Sequence, residues 1–461
     1  MQNIFTSVLQ PSQILSSDAD KKHYGKDWLK CFTAAPSLIL LPSSESEVQA
    51  IIKICNVQKI VIVPSGGRTG LSGGATATQG EVIVSLEKMN KVIEVNELDR
   101  TITAQAGVIT QKIQDAAAAH NLYFPVEFTT KGSSHIGGNV ATNAGGIRVV
   151  KYGHTRDWVV GMKVVTGKGD ILELNGALFK NNTGYDLRAI FMGSEGTLGI
   201  ITEITLRLIA RPFERVRMLV ALNDINGVLP LFKEARSAFS SLSAFEYFAE
   251  NGLSRVLAHN ALTRPFAKIY PNYVLVEVEI EKADEREKLE EFFTAQIENG
   301  KIEDVVISQT QKQAEELIEL RERIGETLST HYFPHKNDLS VPVPMIPKFV
   351  SALHNLVEKE YPGFEVVIFG HIGDGNLHVN VLKPPSLPAD QFFTFCHEAD
   401  RKIFALVQEF KGSISAEHGI GLLKKDFLHF SRSSAEIGYM KEIKKIFDPN
   451  LILNRGKIFD L

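Results

Sequence analysis

Short apolar runs rich in valine and isoleucine recur between about residues 35 and 210 and are separated by glycine-rich stretches. Runs of this length that end at glycine, proline or asparagine are typical of β-strands. The strands predicted on this ground are Lys59–Pro64, Glu81–Leu86, Thr101–Gly107, Val159–Thr166 and Leu198–Leu208. Alanines and polar residues on a helical period predict an exposed amphipathic helix over Ile109–Asn121. This half of the chain is therefore predicted to be an α+β domain.

The pattern changes after Arg211-Pro212, where longer strands and longer helices take over. The segments RVRMLVAL and YVLVEVEIE predict strands, and apolar residues on a helical period predict helices over Ala283–Asn299 and Gln309–Thr330. A final helix is expected over Ala435–Phe447, before Asp448-Pro449. A second domain is therefore expected to begin near residue 213.

Composition narrows the class of protein. The chain of 461 residues is 44% hydrophobic and 23% charged with a formal net charge of −4, so a two-domain globular protein is expected and a general nucleic-acid binder is disfavoured. The cysteines Cys31, Cys55 and Cys396 lie far apart and predict neither a disulfide framework nor a thiolate zinc site. No signal peptide is expected, and no apolar run is long enough to predict a bilayer-spanning helix. A cytoplasmic location is expected, with peripheral contact to the inner face of a membrane left open.

Three glycine-dense loops carry the first chemical signal. The first, VPSGGRTGLSGG at residues 63–74, directly follows an apolar strand, but it lacks the Lys-Ser/Thr of a P-loop and the spacing of a Rossmann turn. Alone it fits a mobile turn equally well. Two more such loops, at 131–146 and 193–201, interleave glycine with serine, threonine and asparagine. Because glycine gives up much backbone entropy on folding, a large phosphate-bearing ligand is the economical explanation for three such loops.

A second signal lies in VVIFGHIGDGNLHVNVL, residues 366–382, where two apolar runs flank Asp374-Gly375. A two-residue turn at Asp-Gly would pair His371 directly with His378 across the hairpin, close enough for both imidazoles to bind one metal ion. Asn380 shares their face. The segment GSISAEHG then places Glu417 beside His418, and two histidines with one carboxylate form a common catalytic metal site. The structural alternative is a pair of hydrogen-bonded hairpin histidines with a glutamate at a helix start.

These motifs resemble those of the vanillyl-alcohol oxidase and p-cresol methylhydroxylase flavoproteins. PSGGRTGLSGG resembles the pyrophosphate loop of that family, IGGNVATNAGG its second dinucleotide segment, and NNTGYDLRAIFMGSEGTLGIIT the segment beside the flavin. The resemblance implies an FAD-binding domain of two subdomains, an α+β substrate domain with an antiparallel sheet, and a C-terminal segment that returns to the FAD domain. The implied limits are 33–212, 213–420 and 421–461. Arg68 and Thr69 stand where a flavin-linking histidine could sit, so the FAD is expected to be non-covalent.

The resemblance also implies which residues contact FAD. One of them, Asn454, lies in the C-terminal segment LNRGK, which resembles the family's Leu-Asn-Pro-Gly-Lys with Arg455 in place of proline. They are Pro64, Ser65, Gly66, Gly67, Arg68, Thr69, Gly70, Leu71, Ser72, Ser133, Gly137, Gly138, Asn139, Thr142, Asn143, Gly145, Gly146, Glu195, Gly199, Ile200, Ile201 and Asn454.

GHIGDGNLHVNV and SAEHGIG are similar to the paired motifs of the subgroup that contains D-2-hydroxyglutarate dehydrogenase and related D-lactate dehydrogenases. This similarity implies that His371, His378 and Glu417 hold a divalent metal and that His418 is the catalytic base and a substrate contact. We expect zinc, with manganese or iron as alternatives. Three further positions match the substrate contacts of the subgroup: Arg321, Lys336 and Asn380. The subgroup's Arg-x-x-x-Thr is Arg-x-x-x-Gly here, at Gly325, so the identity of the acid stays open.

The expected reaction is therefore oxidation of a D-2-hydroxy acid to the 2-oxo acid, with metal assistance and hydride transfer to FAD. Reduced flavin would pass electrons to an electron-transfer flavoprotein or a quinone, since no Rossmann signature suggests NAD. A homodimer is one option for the assembly. The alternatives are a metal-free alcohol or aryl-alcohol oxidase, a flavin-binding subunit of a larger oxidising complex, and a metal-dependent hydrolase that leaves the glycine-rich loops unexplained.

Overall fold

The computed structural model of the protein describes residues 2–29, 31–282 and 284–461. These residues form two compact units. The first unit runs to Gly145 and also contains Gly153–Arg211 and Glu417–Leu461, while the second contains Gly146–Tyr152 and Pro212–Ala416. The expected return of the C-terminal segment to the first unit is thus confirmed. The domain limits of 33–212, 213–420 and 421–461 stay a prediction.

The first unit combines short strands with short helices. Its elements, in chain order, are β1 Ile14–Leu15, α1 Asp18–Tyr24, β2 Leu38–Leu40, α2 Glu45–Gln58, β3 Ile62–Ser65, β4 Val82–Ser85, β5 Val92–Asn96, β6 Thr101–Gln105, α3 Thr110–Ala119, β7 Leu122–Tyr123, α4 Ile136–Thr142, β8 Val159–Thr166, β9 Ile171–Leu174, α6 Arg188–Phe191, β10 Gly199–Arg207, β11 Ile209–Ala210 and α13 Ser434–Phe447. The helix α5, Val149–Tyr152, belongs to the second unit.

Two sheets organise this unit. One has the order β1-β2-β4-β3, with β2, β4 and β3 parallel and β1 antiparallel to β2. The other is antiparallel, in the order β5-β6-β10-β8-β9, and β7 pairs with β11 beside it. β4 is buried along its whole length, as expected for a strand inside a parallel arrangement. The parallel strands direct β3 into the first glycine-rich loop.

The helix α2 positions β3. Ser44 caps its N-terminus by accepting a hydrogen bond from Glu47 N–H, and its buried face includes Ile51 and Cys55. Lys59 ends it in the left-handed conformation, at φ 56°. The chain then turns directly into β3, so the residues after β3 emerge at a defined edge of the sheet.

The C-terminal segment joins the same edge. α13 begins with a capping box formed by Ser433 and Glu436. Asp448 ends the helix, is fully buried, and accepts hydrogen bonds from the N–H groups of Ile452 and Leu453. Leu453 then forms a parallel bridge with Ile62 of β3. The LNRGK motif is thereby held beside the first glycine-rich loop.

The second unit is built on one large sheet covered by long helices. After α5, its elements are β12 Glu214–Leu222, α7 Val228–Ala238, β13 Leu242–Ala249, α8 Glu250–His259, β14 Asn272–Ile280, α9 Asp284–Glu298, β15 Asp304–Ile307, α10 Gln311–His331, β16 Pro334–Ser340, α11 Ile346–Glu360, β17 Glu365–Gly370, β18 Asn376–Leu382 and α12 Ala389–Glu409. The sheet is antiparallel throughout, in the order β15-β12-β14-β13-β17-β18-β16. The antiparallel sheet expected for the substrate domain is confirmed.

The local predictions agree with these bounds to within a few residues. The predicted strands correspond to β3, β4, β6, β8 and β10, and the predicted helices to α3, α9, α10 and α13. Ala283, where one predicted helix starts, lies outside the described residues. No helix among the described residues combines the length and apolar character that a membrane crossing requires.

Candidate functional site

A cavity in the first unit is lined by all three glycine-rich loops. Its walls come from the loop after β3, from α4 with the turn before it, and from the start of β10. Of the residues predicted to contact FAD, the cavity brings together Pro64, Ser65, Gly66, Gly67, Arg68, Thr69, Gly70, Ser72, Gly137, Gly138, Asn139, Thr142, Glu195, Gly199, Ile200 and Ile201.

Close backbone approach explains the glycines at two of these positions. A Cβ atom on Gly67 would overlap the carbonyl oxygen of Ser133 and lie 2.9 Å from Cα of Ser134. A Cβ atom on Gly137 would lie 2.5 Å from Cβ of Ala106. The first loop therefore packs on the second, and the second on the end of β6, at distances that a side chain would prevent. A continuous backbone wall results, which is the geometry needed to bring many N–H groups to a phosphate.

Several buried polar atoms in the cavity wall have no hydrogen-bond partner within the described part of the chain. These atoms are Oδ2 of Asp27, Oγ of Ser65, Nη1 of Arg68 and Nδ1 of His135. Buried polar atoms are nearly always paired, so four orphans in one wall indicate a polar ligand. Donors and acceptors are both present, which fits a molecule with phosphate and hydroxyl groups such as FAD.

Burial sets the charge of this wall. Burial and the neighbouring charge of Arg68 lower the pKa of His135 to about 4, so its imidazole is neutral at pH 7. Burial raises the pKa of Asp27, although hydrogen bonds from Leu29 N–H and the Thr76 hydroxyl oppose the rise. Arg68 stacks on the ring of Tyr24 at 4.7 Å, which holds its guanidinium in place. Arg68 is therefore the cation in this wall that is available to an anionic group.

The third loop is tied to the C-terminal segment through Glu195. Its carboxylate accepts hydrogen bonds from the N–H groups of Ile420 and Gly421, each at 2.8 Å. Its carbonyl accepts from Asn454 Nδ2 at 2.6 Å, and the same amide reaches the carbonyl of Gly74 at 3.2 Å. Burial raises the pKa of the Glu195 carboxyl. Glu195 thus anchors the loop that begins with Glu417 and His418.

Lys457 completes this anchor. Its Nζ donates to the carbonyl of Gly74 at 2.6 Å and to Oδ1 of Asn454 at 2.9 Å. Burial lowers the pKa of Lys457 to about 7, and the carboxylates of Glu81, Asp27 and Glu195 oppose that shift. The LNRGK motif therefore holds the first glycine-rich loop from behind.

Some predicted FAD contacts do not line the cavity. They are Leu71, Ser133, Asn143, Gly145, Gly146 and Asn454. Asn454 and Ser133 support the wall, as described above, and Gly146 belongs to the second unit. Sequence reasoning missed Asp27 and His135; the signal for His135 was its place inside the second loop, whereas Asp27 lies before the motifs. The contact assignments themselves stay a prediction.

In the second unit, the histidine hairpin differs from the predicted register. The structure pairs Phe369 with His378, so a loop of residues 371–375 replaces the predicted two-residue turn. The loop closes because the carbonyl of His371 accepts from Asp374 N–H at 3.1 Å and from Asn376 N–H at 3.2 Å. The predicted direct pairing of His371 with His378 is wrong. The imidazoles still meet, with ring centroids 5.3 Å apart, because a two-residue shift keeps side chains on the same face.

Each of these histidines has a carboxylate at its Nδ1 atom. His371 Nδ1 lies 2.7 Å from Oε1 of Glu246, and His378 Nδ1 lies 3.8 Å from Oδ1 of Asp338. Asp338 is in turn held by Asn376, whose Nδ2 donates to it at 2.8 Å. The Glu246 contact leaves Nε2 of His371 as the nitrogen that a metal would use, an arrangement typical of metal-bound histidine, whereas the distance between His378 and Asp338 is too long for a hydrogen bond. The donor set of this half of the predicted metal site therefore fits a divalent cation.

Arg321 lies in the same region of the second unit. It occupies the apolar stripe of α10 between Leu317 and Ile324, and is only 4% exposed. Its Nη2 lies 2.8 Å from Oε2 of Glu246, and its guanidinium packs over the ring of Phe369 at 4.7 Å. Its Nε has no hydrogen-bond partner among the described residues. A buried guanidinium with a donor to spare suits a carboxylate ligand.

The remaining predicted substrate contacts lie on neighbouring strands. Lys336 of β16 pairs in register with Asn380 of β18, and Lys336 Nζ approaches the carbonyl of Gly325 at 3.4 Å. Asn380 Nδ2 makes only long contacts, at 3.4 and 3.5 Å, to the carbonyls of His378 and Val367. Both residues thus lie near the α10 segment that carries Arg321.

Glu417 and His418 belong to the first unit, where they follow directly on Ala416, the last residue of the second. Sequence reasoning missed Glu246 and Asp338. For Glu246 the available signal was an acidic residue inside the largely apolar strand LSAFEYFA, whereas Asp338 lies in a strand, PHKNDLS, that is polar at most positions and gives no such signal.

Comparison with known proteins supports the cofactor class. Residues 36–175 match the family model described as an FAD binding domain, and residues 211–458 match the model of FAD linked oxidases, C-terminal domain. The second match covers more than half of the chain. The sequence prediction of an FAD-linked flavoprotein is confirmed.

Relatives and solved structures narrow the group. The chain is 48% identical over 453 residues to a D-2-hydroxyglutarate dehydrogenase of Stutzerimonas stutzeri, covering 98% of this chain and 97% of that protein. It is 35% identical to a putative mitochondrial D-lactate dehydrogenase of Schizosaccharomyces pombe, covering 94% and 84%. The fold resembles that of p-cresol methylhydroxylase with substrate bound, with a TM-score of 0.80 at 17% identity and coverage of 99% and 96%.

These matches confirm the fold class, the recognised family and the enzyme class that the sequence predicted. The chain belongs to the FAD-linked oxidases of the vanillyl-alcohol oxidase and p-cresol methylhydroxylase type, and is an FAD-dependent oxidoreductase of the D-2-hydroxyglutarate and D-lactate dehydrogenase subgroup.

Proposed function

We propose that the enzyme oxidises a D-2-hydroxy acid, of the D-2-hydroxyglutarate or D-lactate type, to the 2-oxo acid with the help of a divalent metal. The observation that carries this proposal is that His371 and Arg321 share the buried carboxylate of Glu246 in the second unit, while the ring of His378 lies 5.3 Å from that of His371. Two imidazoles supply metal ligands, and the guanidinium supplies a partner for the carboxylate of the acid. The names of the relatives point to the same substrate class.

FAD is held without a covalent bond in the cavity of the first unit. The backbone wall around Gly67 and Gly137 takes the diphosphate, and Arg68, His135 and Asp27 supply the polar contacts that the cavity leaves unpaired. Arg68 and Thr69 stand where a flavin-linking histidine could sit, and neither is a histidine or a cysteine. When bound, FAD accepts a hydride at its N5 atom.

A divalent cation, for which we favour zinc, is held by His371, His378 and Glu417. When bound, such a cation lowers the pKa of the substrate hydroxyl. The position of Glu417 in the chain supports its inclusion among the metal ligands. It is bonded to Ala416, whose N–H lies 3.4 Å from the carbonyl of Asp338, and Asp338 pairs in register with His378.

The substrate is oriented by its carboxylate and deprotonated at its hydroxyl. Arg321 binds the carboxylate with the N–H groups that Glu246 does not engage, and Lys336 and Asn380 add a charge and an amide on the adjacent strands. His418 accepts the hydroxyl proton on a ring nitrogen. As the C2–H bond breaks with its electron pair, the C2–O bond becomes a carbonyl, and the substrate has lost one proton and one hydride.

Anaerobic bleaching of the flavin tests this proposal. The visible spectrum of the purified protein is recorded, and the D- and L-forms of lactate and 2-hydroxyglutarate are added separately, before and after chelation. Bleaching by a D-isomer, abolished by the chelator and restored by zinc, is the expected result. Bleaching that resists the chelator would favour a metal-free alcohol oxidase. A flavin that none of these acids reduces would refute the substrate class.

The sequence has no Rossmann signature that would predict an NAD site, so NAD is not the expected electron acceptor. We propose that an electron-transfer flavoprotein or a quinone reoxidises the flavin in the cytoplasm, and that the enzyme works as a homodimer. Reoxidation of bleached enzyme by each acceptor in turn, together with the mass of the assembly in solution, tests these points.

A further inference from the structure

We propose that Glu246 is a positioning residue that couples the metal site to the substrate carboxylate site, by holding His371 with one oxygen and Arg321 with the other. This inference rests on the proposed function. It assigns a role to a residue that no motif contains, and it predicts that metal affinity and substrate affinity depend on the same carboxylate.

The contacts of Glu246 carry the inference. Its Oε1 lies 2.7 Å from Nδ1 of His371, and its Oε2 lies 2.8 Å from Nη2 of Arg321. Its side chain is only 1% exposed, so both interactions are formed away from bulk water. A carboxylate buried to this extent is unstable without partners of opposite charge or strong donors. Oε1 therefore has a hydrogen-bond partner and Oε2 an ion-pair partner that makes no directed hydrogen bond, and both partners are predicted site residues.

The sheet explains why Glu246 reaches both residues. Glu246 lies on β13, which pairs with β17 through Tyr247 with Gly370 and Phe248 with Phe369. That register brings Glu246 beside the residue that follows β17, which is His371. β13 is buried along nearly all of its length, and no other charged residue lies on it apart from Glu246. The acid is thus placed by strand pairing and not by a flexible side chain.

For His371 the contact fixes the tautomer. A carboxylate at Nδ1 favours a proton on that nitrogen, so Nε2 carries the lone pair that a metal needs. The same contact fixes the plane of the ring. Loss of such a partner typically weakens metal binding about 10–100-fold.

For Arg321 the contact balances a buried charge without consuming all donors. The Nη2 contact has the distance of an ion pair but is not a directed hydrogen bond, and Nε has no hydrogen-bond partner among the described residues. Phe369 supports the face of the guanidinium at 4.7 Å. Glu246 and Phe369 together hold the group in one plane and leave donors for the carboxylate of the acid.

Two substitutions separate these roles. Glu246→Ala removes both contacts, so metal affinity should fall about 10–100-fold. KM for the D-2-hydroxy acid should rise about tenfold or more, because loss of one partner of a buried ion pair leaves the Arg321 guanidinium uncompensated and no longer held in place. Glu246→Gln keeps the size of the side chain but has only one oxygen. It can satisfy His371 or Arg321, so at least one of the two readouts should change about tenfold. If the alanine variant fails to fold, the glutamine variant carries the test.

The matched control is Glu279→Gln. Glu279 of β14 is also buried, at 2% exposed, and pairs with Arg215 of β12 and Lys151 of α5, but among the described residues it has no ion pair with His371 or Arg321. It should lower stability and leave metal affinity and KM within about twofold. Metal affinity is measured on flavin-loaded protein by competition with a zinc chelator and by elemental analysis, without substrate.

The outcomes are distinguishable. Wild-type protein that contains no metal and is reduced normally after chelation would refute the metal part of the proposed function, and the coupling with it. Wild-type protein that binds metal, with folded Glu246 variants that match it in both metal affinity and KM, would refute the coupling alone. The expected result is a metal-binding wild type, a doubly defective alanine variant and an unaffected control.

Discussion

The buried ion network around Glu277 gives the sharpest stability prediction. Glu277 lies on β14, is fully buried, and accepts from Arg148 Nε at 2.6 Å and Nη2 at 3.0 Å. It also accepts from Arg217 Nε at 2.8 Å and from the Ser243 hydroxyl at 2.7 Å. The two arginine side chains are 2% and 9% exposed. One carboxylate is therefore the charged partner that these two arginines share, although Arg217 Nη1 also donates to the carbonyl of Ala314.

Glu277→Gln removes that charge but keeps the size of the side chain. Two buried guanidinium groups then share an uncompensated positive charge, and breaking a buried ion pair in this way costs about 3–5 kcal/mol. The control is Glu365→Gln, which breaks the pair between Glu365 of β17, on the same sheet, and Arg255 of α8. Because Glu365 is 46% exposed, that loss should cost no more than about 1 kcal/mol.

The assay is urea denaturation of both variants, followed by circular dichroism, which reports on both units, and by tryptophan fluorescence, which reports on the first unit because Trp28 and Trp158 both lie there. The arginines hold the pKa of the Glu277 carboxyl far below its usual range, against the effect of burial. A depressed folded pKa stabilises the protein above the unfolded pKa of about 4.3 and loses that stabilisation as pH falls further. The gap between wild type and Glu277→Gln should therefore narrow below about pH 4. A Glu277→Gln variant within about 1 kcal/mol of wild type at pH 7 would refute the reasoning.

Three further predictions concern the site. Gly67→Ala should lower the FAD content of the purified protein, measured as the ratio of flavin to protein absorbance. In the control, Gly132→Ala, the added Cβ meets no atom within 4 Å, so this variant should retain the wild-type FAD content. Equal FAD content in both variants would contradict the close-packing argument. Lys457 has a folded pKa of about 7, lowered by burial, so stability of flavin-loaded protein should rise as pH increases from 7 toward the unfolded pKa of about 10.4. Lys457→Met should remove that rise in thermal melts, and an unchanged slope would count against it. A Cβ on Gly325 would lie 3.7 Å from Phe369, which is an ordinary contact, so Gly325→Ala should stabilise α10 by about 0.5–1 kcal/mol without a change in KM. Gly325→Thr should shift the ratio of the KM values for D-lactate and D-2-hydroxyglutarate. An unchanged ratio would exclude Gly325 from the substrate pocket.

The elements that sequence predicted well are those with a strong local signal. β8 has the predicted bounds, Val159–Thr166, because a valine-rich run ending at Gly167 specifies a strand without help from distant residues. The glycine-rich loops were also predictable as a ligand site. Clustered glycines lose much backbone entropy on folding, and close approach of a ligand to the backbone explains why they are present. Their order around one cavity came from the family resemblance and not from the pattern.

The register of the histidine hairpin could not be predicted from Asp374-Gly375 alone. Asp-Gly favours a two-residue turn, but here the carbonyl of His371 closes a longer loop, and Gly373 N–H bonds to the carbonyl of Phe245 on β13. A contact from a distant strand thus overrode the local turn preference. The two histidines still met because the shift was an even number of residues, and a shift of one residue would have separated them.

Two buried acids that no motif contains, Glu246 and Glu277, share one physical property that makes them informative. Each interrupts an apolar strand pattern, so periodicity treats it as noise. The cost of burying a carboxylate means that each must have partners, and those partners are what a sequence pattern cannot show. Glu277 has two arginines and a purely structural role follows, whereas Glu246 has one histidine and one arginine that both belong to the predicted site. The chemical identity of the partners, and not burial itself, therefore separates an acid that holds the fold together from one that positions the active site.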